Sequence, residues 1–169
     1  MDPITQYAFT LNNDWITTVS NLLDNAYVYA TVLLAAMLLG EQRKGKIAKI
    51  LVTAILAIAI GYGVKLVLAV ARPCTTMDLY CPDGYSFPSI HAIAAFTLMM
   101  AFLNKKSFPY YMLLALFVAF TRMAIAAHTF RDLAAALPLA IIVYYVVDMF
   151  WPRPVETEVK KPARGVAHG

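Results

Sequence analysis

Six side chains near the ends of apolar runs could do chemistry together: Lys65, Arg72, His91, Arg122, His128 and Asp132. His128 and Asp132 are four apart, near enough on a helix for a carboxylate to meet an imidazole. Arg122 precedes His128 by six residues, close to two turns if the helix continues. Lys65 and Arg72 are seven apart, again about two turns, which places them on one helical face. Between these clusters lies GYSFPSIHA, residues 84–92. Pro88 and Ser89 suit a helix start, where proline forfeits no needed donor and serine caps free amides. Such a start presents unpaired N–H groups and partial positive charge, a setting that favours a phosphate. His91 then stands at the edge of that setting. Taken singly, each residue has a plainer reading as a snorkelling cation, a structural ion pair or a core histidine. Three cations, two histidines and a carboxylate on one face make an anion site the better account.

The elements that must position these groups follow from composition. The chain has 169 residues, 61% of them apolar and 14% charged, with mean hydropathy +0.65. Soluble domains average about 45–50% apolar and about 25% charged, and a chain this short cannot hide the excess. The expectation is one domain over residues 1–169, an all-α integral membrane bundle. Five apolar segments approach the roughly 20 residues that a helix needs to span a bilayer: 22–40, 48–71, 89–103, 107–127 and 132–151. The third is short enough to be tucked inside the bundle. None alternates as a barrel strand would. Ahead of them, Phe9, Trp15, Ile16, Val19, Leu22 and Leu23 recur at helical spacing among Asn12, Asn13, Asp14 and Ser20. That pattern predicts an amphipathic helix lying at the interface over about residues 1–21. No Lys or Arg precedes Arg43, so the positive region of a secretory signal peptide is missing.

Charge then orients the bundle. Arg43, Lys44, Lys46, Lys49, Lys105, Lys106, Arg153, Lys160, Lys161 and Arg164 are ten of the fourteen basic residues, all on one side of a five-helix weave. The positive-inside rule makes that side cytoplasmic, together with the tail 152–169. The candidate site and the connections 72–88 and 128–131 face outward. The net charge of +4 thus reflects topology, and no nucleic-acid partner is read from it. Cys74 and Cys81 share one outward connection, where an oxidising compartment allows a disulfide clip; two free thiols are the alternative. A metal site would need more ligands than this loop offers.

The ordered motifs K-x6-RP (Lys65, Arg72-Pro73), PSxH (Pro88 to His91) and [ST]R-x5-H-x3-D (Thr121-Arg122, His128, Asp132) strongly resemble the type-2 phosphatidic acid phosphatase superfamily. The motifs cover residues 65–132, and the helix pattern extends the likeness over most of the chain. Two motif positions depart. Ile90 stands where the family commonly has Gly, so a β-branched side chain could narrow phosphate access. Thr121 replaces the usual Ser and keeps its hydroxyl. Arg131 adds a charge where relatives often carry a small or polar residue. His168, in the basic tail, reads as incidental.

The resemblance implies roles. His128 is the expected nucleophile, forming a phosphohistidine, and Asp132 orients and stabilises its ring. Lys65, Arg72 and Arg122, with Ser89 and the amides near Ile90, are expected to hold the phosphoryl oxygens. His91 is expected to protonate the leaving oxygen and then activate water. Three fixed cations supply the charge, so neither metal nor cofactor is called for. The short chain with an interfacial helix looks like the polyprenyl diphosphate phosphatases, whose substrate tail stays in the bilayer. A phosphatidate or phosphatidylglycerophosphate phosphatase is the second reading, and a non-catalytic lipid-phosphate binder the third. The nucleophile–carboxylate pair argues against the binder, which would need cations alone.

Overall fold

The computed structural model describes residues 1–77 and 81–152; the basic tail from Arg153, with His168, lies outside them. Among the described residues all regular structure is helical: α1 (Pro3–Thr10), α2 (Asp14–Asp24), α3 (Ala26–Gly40), α4 (Lys44–Leu68), a 3₁₀ turn (Pro73–Thr76), α5 (Ile90–Ala101), α6 (Phe108–Ala124) and α7 (Phe130–Phe150).

The amphipathic N-terminal segment is two helices rather than one. Asp2 caps α1, accepting from the Thr5 amide at 2.9 Å, with Pro3 in the first turn. The chain then breaks at Asn12–Asn13 because the Asn13 side chain accepts from the Ile16 amide at 3.0 Å and starts α2. A cap of this kind contributes about 1 kcal/mol. Ile16, Ser20 and Leu23 form the buried stripe of α2. Residues 22–24, expected in the first span, belong to α2. Asn25 alone separates it from α3, in an extended conformation, and caps α3 by accepting from the Tyr27 and Val28 amides. The two helices meet at 90°.

α4 has 25 residues, a length of about 37 Å at 1.5 Å per residue, more than a hydrocarbon core of about 30 Å. Together with α7 it is long and apolar enough to cross a membrane; the bent α2–α3 pair passes the same test jointly, and α5 and α6 are shorter apolar helices. α4 buries Thr53, Ala57, Gly61 and Lys65, a stripe of small residues that ends in a cation. Gly61 lets α5 approach, since a Cβ there would sit 2.4 Å from Ile93 Cδ1. α5 is the central helix, packed between α4, α6 and α7, with every residue from Ala92 to Met100 buried. Its burial explains how a helix of only twelve residues holds a place in the bundle. Outward, Leu39, Ile55, Val67 and Ile142 are exposed, from 60% to 86%, an apolar surface suited to lipid and costly in water.

At the bundle end away from Lys65, the turn between α3 and α4 is knitted to the α5–α6 connection. Glu41, 5% exposed, accepts from Arg43 Nε at 3.0 Å and Lys105 Nζ at 2.8 Å. Arg43 holds the Glu41 carboxyl well below the usual carboxylate range against the cost of burial, and Lys105 assists. Lys49 pairs with Asp148 of α7. Arg43, Lys46, Lys49 and Lys105 surround a cavity of about 980 Å³, so four of the six described basic residues flanking these connections collect around it.

Candidate active site

Lys65 and Arg72 were placed on one face by helical spacing, but α4 stops at Leu68. Ala69 adopts a left-handed conformation (φ 47°) and its N–H donates to the Lys65 carbonyl. The chain therefore turns, and both cations converge on the 83–86 strip from different directions. Lys65 Nζ donates to the Tyr85 carbonyl at 2.6 Å and the Ser86 carbonyl at 3.2 Å. Arg72 donates from Nε to Gly84 O at 3.3 Å, from Nη2 to Asp83 O at 3.1 Å and from Nη1 to Ala127 O at 3.3 Å. Among the described residues these two cations meet carbonyls and a histidine and form no carboxylate ion pair. Cys74 and Cys81 are joined in a disulfide, and the Cys74 amide donates to Ala126 O at 3.0 Å. The clipped loop is thereby docked on the connection that carries His128.

α6 ends at Ala124, about one turn short of what a continuous helix to His128 would need. The Arg122 carbonyl instead accepts from the Ala127 amide at 3.1 Å and the His128 amide at 3.2 Å, around a left-handed Ala126. His128 precedes α7, so its contact with Asp132 comes from a cap rather than a helical turn. Thr129 and Asp132 form a reciprocal capping box, in which Asp132 Oδ2 accepts from the Thr129 amide at 2.7 Å. The same oxygen accepts from Ser86 Oγ and lies 3.6 Å from His128 Nδ1, an ion-pair separation longer than a hydrogen bond. On the far side of the ring, Arg72 Nη1 is 3.5 Å from Nε2. A guanidinium has donors only. The contact therefore needs the lone pair on Nε2, with the ring proton on Nδ1 facing Asp132. Burial pushes the His128 imidazole down to about 3, Asp132 opposing and Arg72 and Lys65 reinforcing. The ring is neutral at neutral pH, with a lone pair available for attack.

Ser89 begins α5 as expected. Its Oγ accepts from the Ala92 amide at 3.4 Å, and its own N–H donates to Asp132 O at 3.3 Å, which joins the starts of α5 and α7. Pro88 lies outside the helix. The first amides of α5, at Ile90 and His91, have no carbonyl within the helix to reach. The Ile90 side chain turns away from this edge: its Cδ1 would lie 3.2 Å from a Cβ at Gly61, so its bulk fills space beside α4. His91 is half-buried. Its Nε2 is 3.1 Å from Leu23 O, its ring lies 4.7 Å from Tyr29, and the Tyr29 hydroxyl donates to His91 O at 2.6 Å.

Arg122 is fully buried. Nη1 donates to Ser20 O at 3.0 Å and Ser20 Oγ at 3.2 Å, and Nη2 to Asp24 Oδ1 at 2.6 Å. The structure thus gathers the expected residues in two adjoining groups, His128, Asp132, Lys65 and Arg72 in one and His91 and Arg122 in the other, linked through backbone bonds. Sequence reasoning missed Ser86, Ser20, Asp24 and Tyr29. Asp24 carried a usable signal, as an acid inside an apolar stretch, and Thr129-x-x-Asp132 is a capping pattern. Among the described residues no three His, Cys, Asp or Glu side chains cluster in a way that could hold a metal ion. An apolar cavity of about 420 Å³ opens beside His91, with Asp24 and Tyr29 at the polar end and Leu33, Ile55 and Leu98 along it.

A buried histidine–carboxylate pair beside two cations held by backbone carbonyls, carried by an apolar helical bundle, defines a membrane protein of the phosphatase fold. The chain belongs to the PAP2 superfamily, whose model matches residues 46–154. It is similar to the crystal structure of Aquifex aeolicus LpxE, with TM-score 0.71 and 18% identity over 87% of this chain and 93% of that one. It is also similar to the first transmembrane PAP2 type phosphatidylglycerolphosphate phosphatase from Bacillus subtilis, with TM-score 0.63 and 16% identity over 87% and 82%. No curated protein sequence matches it.

Proposed function

We propose that the protein is a lipid phosphatase that works through a phosphohistidine and without a metal, hydrolysing a polyprenyl diphosphate to the monophosphate. The observation that carries the chemistry is the His128 ring, held between Asp132 and Arg72 with its Nε2 lone pair toward the cation. Nε2 attacks the terminal phosphorus while the bridging P–O bond breaks and His91 delivers a proton to the leaving oxygen. Water then attacks the phosphorus, the P–N bond breaks with its electron pair returning to Nε2, His91 takes the water proton, and inorganic phosphate leaves. Lys65 and Arg72 exchange their carbonyl partners for phosphoryl oxygens, joined by Arg122, Ser89 and the first amides of α5. The apolar cavity beside His91 supports a substrate with a long tail. The similarity to the Bacillus subtilis phosphatidylglycerolphosphate phosphatase supports a second reading, a phosphatidylglycerophosphate phosphatase with the same chemistry. Phosphate release from a detergent panel of farnesyl diphosphate, phosphatidate and phosphatidylglycerophosphate separates the two. Preference for either monoester overturns the diphosphate assignment.

Protein cations carry the charge in this scheme. Turnover is expected to persist in excess EDTA and to be inhibited by vanadate, a mimic of five-coordinate phosphorus. Activity that appears only on adding magnesium contradicts it.

The same reading takes residues 1–169 as one domain with five spans, the site on the extracytoplasmic side and the C-terminus cytoplasmic. A C-terminal reporter is expected inside the cell. Cys81, half-buried, is expected to react with an impermeant maleimide from outside once the disulfide is reduced. Labelling only after permeabilisation inverts the topology.

A further inference from the structure

Arg122 is held unlike the other two cations. Lys65 and Arg72 rest on neutral carbonyls, whereas Arg122 has a carboxylate partner, Asp24, at 2.6 Å. Both of its terminal nitrogens are taken by α2, through Ser20 and Asp24. Its Nε is buried and has no partner. A buried donor without an acceptor costs about 1–3 kcal/mol, so its persistence calls for an explanation. A guanidinium is a planar fork of five donors in fixed geometry, so gripping the terminal nitrogens also fixes where the Nε edge points. α2 reaches the site because Asn25 bends the chain by 90° directly after Asp24. Asp24 also lines the apolar cavity together with His91 and Tyr29, so the clamp stands where a lipid headgroup would enter.

We propose that Asp24, assisted by Ser20, is a positioning residue that clamps Arg122 so that its free Nε edge meets the phosphoryl group as it is transferred. The inference rests on the phosphatase reading and names a part of the machinery supplied by the N-terminal helices. Asp24 touches no reacting atom and acts through Arg122. Its negative charge also offsets one cation, which keeps the site from binding a ground-state phosphate too tightly. Removing it therefore harms the transition state more than the substrate complex. A contact that merely fastened α2 to the bundle would instead change stability and leave the turnover of folded protein intact.

The test uses full-length protein in detergent with farnesyl diphosphate as probe. Asp24→Asn is expected to lower kcat by about 10- to 100-fold, in the range of a small misplacement of a catalytic group, with KM unchanged or lower. Inhibition by vanadate is expected to weaken in step with kcat, while inhibition by inorganic phosphate holds or strengthens. Combined with Arg122→Lys, the losses are expected to fall well short of multiplying, since both variants remove one device. If Asp24→Asn does not fold, Ser20→Ala takes its place, with a several-fold loss in kcat at constant KM expected. Wild-type kcat in the folded variant, or losses that multiply in the double variant, overturns the proposal while an active wild-type protein leaves the phosphatase reading standing. A wild-type protein that releases no phosphate from any lipid in the panel overturns both.

Discussion

Replacing His128 by alanine is expected to abolish turnover and to leave phosphate binding largely in place. The cations explain the second half of that result. Lys65 and Arg72 keep their bonds to carbonyls of residues 83–86 and Ala127 when the single contact of Arg72 with the imidazole is removed. His128 itself is anchored by its backbone, through the Arg122 carbonyl, and that anchor survives truncation of the ring. Phosphate inhibition or a binding isotherm on the variant is the check. Loss of phosphate binding in parallel with turnover would mean that the ring is a structural support for the cations.

Asp132→Asn is expected to cost about 10⁴-fold in kcat, the size seen when the orienting carboxylate of a serine protease is made an amide. The fold survives because an asparagine oxygen can still accept from the Thr129 amide, the bond that completes the α7 cap at 2.7 Å. The same oxygen faces His128 Nδ1, so the tautomer is kept and the NH₂ takes the place of Oδ1. What is lost is the negative charge that stabilises the imidazolium formed as Nε2 attacks. Kinetics on the folded variant decide the matter, and a loss under about tenfold would remove Asp132 from the mechanism.

Much of this site was legible from residue types, though the geometry behind it differed. The three motifs named side chains that the fold gathers into two adjoining groups, yet Lys65 and Arg72 converge because the chain turns at a left-handed Ala69, not because a helix continues. An alanine gives no warning of that conformation; a glycine would have. His128 and Asp132 meet through a capping box, a pattern present in Thr129-x-x-Asp132 but read as an i,i+4 pair. The break at Asn12–Asn13 was also visible as a cluster of cap-forming residues, and was taken for the polar face of one helix. Ile90 shows what composition cannot tell. Its effect depends on which way the side chain turns, and Gly61 on a neighbouring helix makes room for it. Asp24 and Ser20 were hidden for a tertiary reason, since nearly 100 residues separate them from Arg122.

Rapid-quench trapping of the phosphoenzyme tests the central claim most directly. Protein mixed with substrate labelled at the terminal phosphate and quenched in base within the first turnover is expected to carry an acid-labile label on the peptide containing His128. The label should be absent from His128→Ala, and should accumulate when His91→Ala slows the attack of water. A His128→Ala protein that acquires the label at the wild-type rate would contradict the account.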